Sequence, residues 1–304
     1  MRIIKPSFEI WDQQEGLEGI YKQIERAGRV CYKSEDKITE TSAKEFVERM
    51  IKSGHGAMLE HGTVYLDVPN SAGDYNLVPF FASNPYSRVV IKPSDDRVHN
   101  YVTTNFRVIV ENVAEEYIPD ILQYLCEPTE CHEKRITVRF ICDRGVSHEF
   151  VRHRVFSFAQ ESTRYCNYSK DKFGNEITYI LPIWSTMPVG EYEVDCIALS
   201  KIGQKEREDY TPDEQFIEAI TNAEWNYFHL LQLGWTPQQA RAVLPNSLKT
   251  ELVMTGFVSD WEHFFKLRDA GSAHPQAREL AHPLHMEFLR RNYLVDLYDE
   301  ANPD

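Results

Sequence analysis

From Arg135 to Cys142 every second residue is apolar, with Ile136, Val138, Phe140 and Cys142 in one file. A period of two puts all four on one face of a strand, so this segment has to lie in a sheet with that face covered. Val64, Leu66 and Val68 alternate in the same way with Thr63, Tyr65 and Asp67, ahead of a turn at Pro69-Asn70. A further strand is expected from Tyr101 to Val110, and a helix from Val113 to Leu125. Elsewhere helical spacing takes over. Ser42-Ala43-Lys44-Glu45 has the form of a capping box, and Ala43, Phe46, Val47, Met50 and Ile51 follow at helical period until Gly54. Thr211-Pro212 and Thr236-Pro237 each set a capping hydroxyl before an N1 proline, and Gly234 closes the long helix between them. Ser259-Asp260-Trp261-Glu262 offers another capping box, and Ala277, Leu280, Ala281, Leu284 and Phe288 make the buried stripe of a terminal helix. Strands ahead of helices predict an α+β fold, with a central, mostly antiparallel sheet packed with helices.

The 304 residues, 42% of them hydrophobic, can bury a sizeable core. No apolar run approaches the ~20 residues of a membrane span, and Met1 to Pro6 has no signal-like apolar segment, so a cytoplasmic protein with no membrane partner is expected. Its six cysteines (Cys31, Cys126, Cys131, Cys142, Cys166 and Cys196) are scattered, which speaks for reduced thiols. Cys126, Cys131 and His132 cluster, but a second close pair of ligands is missing. His282 and His285, beside Pro275 and Pro283 and after His274, suit helix packing better than ligation. No metal is assigned.

A formal charge of -14 argues against nucleic acid as a partner. Between residues 139 and 164 the sign reverses: Arg139, Arg144, Arg152, Arg154 and Arg164 outnumber Asp143, Glu149 and Glu161. The stretch from Arg152 to Tyr165 joins those guanidinium groups to hydroxyls and to Phe156, Phe158 and Tyr165. Guanidinium forks suit phosphate, and rings that exclude water would strengthen the contact, so a phosphorylated small molecule fits better than a solvated charged face. Arg268 lies four residues after Phe264 and seven after Trp261, on the apolar side of its helix. A buried arginine without an anion costs on the order of 3 to 5 kcal/mol, so Arg268 has to meet one; a carboxylate or a ligand would serve equally. Arg241, among small and apolar neighbours from Gln239 to Pro245, is compatible with ligand approach or with a structural ion pair.

These residues resemble the signature of the flavin-dependent thymidylate synthases. Arg152-His153-Arg154, then Ser157, Gln160, Ser162 and Arg164-Tyr165, match its central motif. Gly54-His55-Gly56-Ala57-Met58-Leu59-Glu60-His61 resembles its Gly-His-Glu block, Ala240 to Pro245 its Ala-Arg-x-x-Leu-Pro, and His263 to Arg268 its helix ending in Leu-Arg. The resemblance implies one domain over residues 1–304 with a family-atypical insertion at 69–134, assembled as a homotetramer with shared active sites. It implies reductive methylation of dUMP to dTMP with FAD as cofactor and 5,10-methylenetetrahydrofolate and NADPH as co-substrates. Glu149, Arg152, Gln160, Glu161, Ser162, Thr163, Arg164, Arg241 and Arg268 would surround dUMP. His55, Arg152, His153, Arg154, Gln160 and His263 would hold FAD, and Arg268 would be catalytic, against uracil deprotonated at N3. Neither Cys166 nor Ser162 is marked as a nucleophile.

Three departures accompany the resemblance. Phe257-Val258-Ser259 stands where family members often carry Asn-x-Arg as flavin contacts, and Ala57 and Ala159 replace polar residues. The insertion could cover the folate site, thicken a subunit contact or be decoration, the last two being favoured. A nucleotide-binding relative that has lost flavin is the alternative reading.

Overall fold

The computed structural model describes residues 1–69, 77–93, 98–170, 173–192 and 209–294. Asn70, the second residue of the expected turn, and Cys196 lie outside them. The described elements are β1 (Arg2–Ile4), β2 (Ser7–Trp11), α1 (Gly16–Tyr32), α2 (Ser42–Lys52), β3 (Thr63–Pro69), α3 (Leu77–Ser83), β4 (Arg88–Pro93), β5 (Val98–Asn105), α4 (Phe106–Asn112), α5 (Ile118–Leu122), β6 (Arg135–Asp143), α6 (Arg144–Phe150), β7 (Ser157–Gln160), β8 (Thr178–Ile180), β9 (Gly190–Glu191), α7 (Pro212–Gln232), α8 (Pro237–Ala240), β10 (Lys249–Phe257), α9 (Val258–Arg268) and α10 (Pro275–Arg290). The fold is α+β.

Its centre is an antiparallel sheet in the order β2-β6-β10-β7. The alternation that marks β6 is used as expected: Ile136, Val138, Phe140 and Cys142 are buried together with Leu252 and Met254 of β10. Trp261, Phe264 and Phe265 of α9 cover that face, with Ala277, Leu280, Ala281, Leu284 and Phe288 of α10. A second sheet, β3-β5-β4, packs its buried residues Val64, Leu66, Val68 and Val102 with Ile20 and Ile24 of α1 and Phe46, Val47 and Met50 of α2. A third, β8-β1-β9, backs onto α7.

Several local expectations are corrected. The strand from Tyr101 ends at Asn105, not Val110, because the Asn105 side chain accepts from the Val108 backbone N–H at 3.1 Å and opens α4 instead. The helix expected from Val113 is a 3-10 turn at Glu115–Tyr117 followed by the short α5, since Pro119 is tolerated only in a first turn. Ser42 does not cap α2: Thr41 precedes the helix, and the Ser42 hydroxyl donates to Glu25 at 2.8 Å. Ile51, expected on the buried face of α2, is 41% exposed. Ser259 lies inside α9, where it donates to Glu133, while the Asp260 carboxylate accepts from the Phe257 N–H at 3.2 Å. The Thr211 hydroxyl caps α7 as expected, in a capping box completed by Glu214, and Gly234 takes a φ of 94° beyond the end of α7.

Candidate active site

Two groups of the marked residues come together within one chain. The first joins α6 to the end of α9. Asp143 caps α6 by accepting from the Val146 N–H at 2.8 Å, which presents Glu149 on the helix's last turn. The Arg268 guanidinium donates to the Glu149 carboxylate at 2.5 Å through Nη1, to the Glu149 carbonyl at 2.9 Å through Nη2, and to His153 Nε2 at 3.0 Å through Nε. The anion demanded by the helix position of Arg268 is therefore supplied by a carboxylate. A guanidinium carries five N–H groups and three are used here, so one remains on each terminal nitrogen. His153, buried against Phe264, accepts at Nε2 and so carries its proton on Nδ1. Burial, Arg268 and His263 push its pKa down to about 4. His263 itself is exposed, its ring 6.2 Å from that of His153.

The second group forms where the chain leaves β7. Arg241 Nη1 donates to the Thr163 hydroxyl at 3.0 Å. The Ser162 N–H donates to the Cys31 carbonyl at 3.0 Å, and the rings of Tyr165 and Tyr32 meet at 5.2 Å. Tyr32 also lines a groove of about 820 Å³ with Arg29, Lys37, Phe46, Arg49 and His55. His55 thus belongs to the same region as Arg164-Tyr165 although more than a hundred residues separate them. Gln160, the last residue of β7, donates to Ser147 of α6 at 2.9 Å and to Thr250 of β10 at 3.3 Å.

Arg152, Arg154, Arg164 and Arg241 are exposed, and none of them meets a carboxylate within ion-pairing distance among the described residues. The water-excluding role expected of the interleaved rings is not seen in the single chain. Phe156 instead enters the core, 4.7 Å from Trp261, because Gly256 opposite leaves room for its ring; Phe158 is half-buried and Tyr165 is 59% exposed. Glu161 differs from its neighbours. It is 3% exposed and accepts from Lys249 at 2.8 Å.

The charge network beneath this segment was not legible in the sequence. Glu251 of β10 accepts from Lys249 at 2.6 Å, from Arg139 at 2.8 Å and from Lys33. Arg139 continues to Glu9 at 3.3 Å, and Glu9 to Arg26 at 3.0 Å. Burial alone would raise the Glu251 pKa, but Lys249 and Lys33 hold it at about 2. The only available signal was charge at alternating strand positions, Glu9, Arg139 and Glu251, on the face opposite the apolar file.

The histidines near the C-terminus share a carboxylate: His282 and His285 each place Nδ1 2.9 Å from Asp269. His132 engages Thr129 through Nδ1 and the Leu66 carbonyl through Nε2. No described helix is long and apolar enough to cross a membrane.

Residues 88–291 match the family model described as thymidylate synthase complementing protein. The flavin-dependent thymidylate synthase of Pyrococcus furiosus is 28% identical over 190 residues, 62% of this chain and 68% of that protein. That of Corynebacterium aurimucosum is 25% identical over 274 residues, 89% of this chain and 76% of that protein. Among solved structures, a UMP/dUMP methylase from Streptomyces cacaoi bound with 5-Br dUMP aligns over 95% of this chain and 93% of its own, at 17% identity and a TM-score of 0.39.

Proposed function

Because the chain belongs to the thymidylate synthase complementing protein family, the flavin-dependent thymidylate synthases, and is a methyltransferase, we propose that it methylates dUMP reductively to dTMP, with FAD as cofactor and 5,10-methylenetetrahydrofolate and NADPH as co-substrates. The observation that carries this reading is the set of exposed guanidinium groups, Arg152, Arg154, Arg164 and Arg241, that meet no carboxylate among the described residues, on a chain of formal charge -14. Cations left unpaired in an acidic molecule are suited to anionic ligands.

The residues also fit a flavin dinucleotide. Arg152 and Arg154 suit a diphosphate, and the groove beside His55, with Arg29, Arg49 and the ring of Tyr32, combines cations with an aromatic surface. Bound flavin supplies the redox chemistry. The protein's part is binding and charge. Ser162, Thr163, Arg164 and Arg241 form the phosphate side of the dUMP site; Glu149, Arg152, Gln160 and Arg268 form the base side. His153, Arg154 and His263 join Arg152, Gln160 and His55 around FAD. Arg268 is held by Glu149 and His153, with two N–H groups left to stand against uracil deprotonated at N3. Residues 69–134 form an insertion in a single domain, and its strands β4 and β5 extend the sheet that begins with β3, which packs with α1 and α2. The active assembly is a homotetramer.

Tritium release from dUMP labelled at C5, with FAD, NADPH and methylenetetrahydrofolate, tests the proposal. Wild type is expected to turn over and Arg268→Ala to lose nearly all activity. A purified protein that binds dUMP but releases no flavin on denaturation, and does not turn over with added FAD, would point to a non-catalytic relative.

A further inference from the structure

Glu161 is placed where a substrate contact is expected, yet its carboxylate is buried, and the cavity it lines with Lys249, Arg2 and Lys33 includes none of the exposed arginines Arg152, Arg154, Arg164 and Arg241. It is 3% exposed, accepts from Lys249 at 2.8 Å, and receives the Tyr168 hydroxyl at 3.5 Å. Its backbone N–H donates to the Glu251 carbonyl at 2.9 Å, so the first residue beyond β7 is fixed to β10 through both main chain and side chain. The next residues carry the candidate phosphate contacts. Ser162 is tied to Cys31, its hydroxyl accepts from the Arg164 N–H at 3.3 Å, and Thr163 receives Arg241. Lys249 in turn belongs to the row Glu251, Arg139, Glu9 and Arg26, which crosses the central sheet to α1.

A buried ion pair is weak evidence for stability, because desolvation offsets most of its attraction; its better-attested use is to select one geometry. From these contacts we infer that Lys249 and Glu161 are positioning residues for the phosphate end of the nucleotide, Glu161 acting through Lys249 to set the Ser162–Arg164 segment and not by touching the ligand. This rests on the proposed dUMP site. It replaces the expectation of a direct Glu161 contact, which the resemblance implies, with an indirect one.

A double-mutant cycle tests it, with Glu161→Gln, Lys249→Met and the combined variant assayed for the KM and kcat of dUMP methylation and for melting temperature. Lys249→Met leaves Glu251 with Lys33 and Arg139, and the combined variant leaves no unpaired charge, so that variant is expected to melt near wild type even where a single variant is unstable. If the pair acts as a unit, the KM for dUMP rises ~10-fold in the combined variant, Glu161→Gln adds less than ~2-fold to Lys249→Met, and kcat changes less than ~3-fold. Lys249→Arg restores KM. Three results would overturn the inference: a combined variant with wild-type KM, additive effects of the two substitutions, or losses of kcat that follow melting temperature. Failure of wild type to methylate dUMP would instead remove the proposed function, and is read separately.

Discussion

Arg268 was recognisable in the sequence as a cation on an apolar helix face, and that much needed only helical geometry. Its partners were not: Glu149 and His153 lie more than a hundred positions away, and only the fold brings α6 and α9 together. Arg268→Lys is expected to lose activity by ~100-fold, because an ammonium cannot make the three directed bonds that hold the guanidinium and still face a ligand; single-turnover methylation of dUMP measures it. His153 leads to a second expectation. Burial, Arg268 and His263 depress its pKa to about 4, and burial followed by Arg135 depresses that of His61 to about 3. In the unfolded chain both would titrate near ~6.5. Between these values the unfolded state binds protons that the folded state refuses, so stability is full above about pH 6.5 and falls as the pH drops toward 4. Thermal melts across that window should show the slope, and His153→Gln should flatten it. A melt independent of pH from 7 to 4 would contradict the depressed values.

At the scale of elements, what could be read early was local. The Thr211 hydroxyl cap before Pro212, the alternation of β6 and the stripe of α10 are written within a few residues each, and all appear as expected; the box that Glu214 completes at Thr211 is additional. Where the reading failed, the deciding group was a side chain competing for backbone, Asn105 at the start of α4, or a proline limiting where a helix can begin, Pro119 in α5. The order β2-β6-β10-β7 was not legible at all, since strand pairing depends on which apolar faces meet in space. One consequence of that pairing can be checked at Gly256. A Cβ there would lie 2.5 Å from two ring atoms of Phe156, itself pressed on Trp261, so the ring must move or the strand must shift. Gly256→Ala is expected to destabilise the protein by ~1–3 kcal/mol, as overpacking does, read as a lower urea midpoint with an unchanged m-value. Thr211→Ala, which removes a cap from an exposed helix end, should cost ~1 kcal/mol in the same assay.

For the whole molecule, the grouping of the candidate residues matters more than their number. Arg268, Glu149 and His153 make one set, and Arg241 and Thr163, beside Ser162 and Arg164, make another; among the described residues no hydrogen bond or ion pair joins the Arg268 set to the Arg241 set. Among the described residues each set also keeps donors without a partner: two N–H groups on Arg268, and N–H groups of the exposed guanidinium groups on Arg164 and Arg241. Two half-sites facing solvent in one chain suit a homotetramer in which the base side of one protomer meets the phosphate side of another, the arrangement that symmetric oligomers repeat at every equivalent interface. Arg268→Ala and Arg241→Ala should then each be inactive alone but complement when unfolded together and reassembled, because some interfaces pair two intact half-sites. With random mixing of equal amounts, a site that draws one half from each of two protomers is intact about a quarter of the time, so activity should recover to ~25% of wild type per site. Recovery requires no new contact, only the correct pairing of halves. If both arginines served a site within a single protomer, every protomer in the mixture would carry a lesion and the reassembled enzyme would stay inactive, which would rule out the shared site while leaving the chemistry of each half untouched.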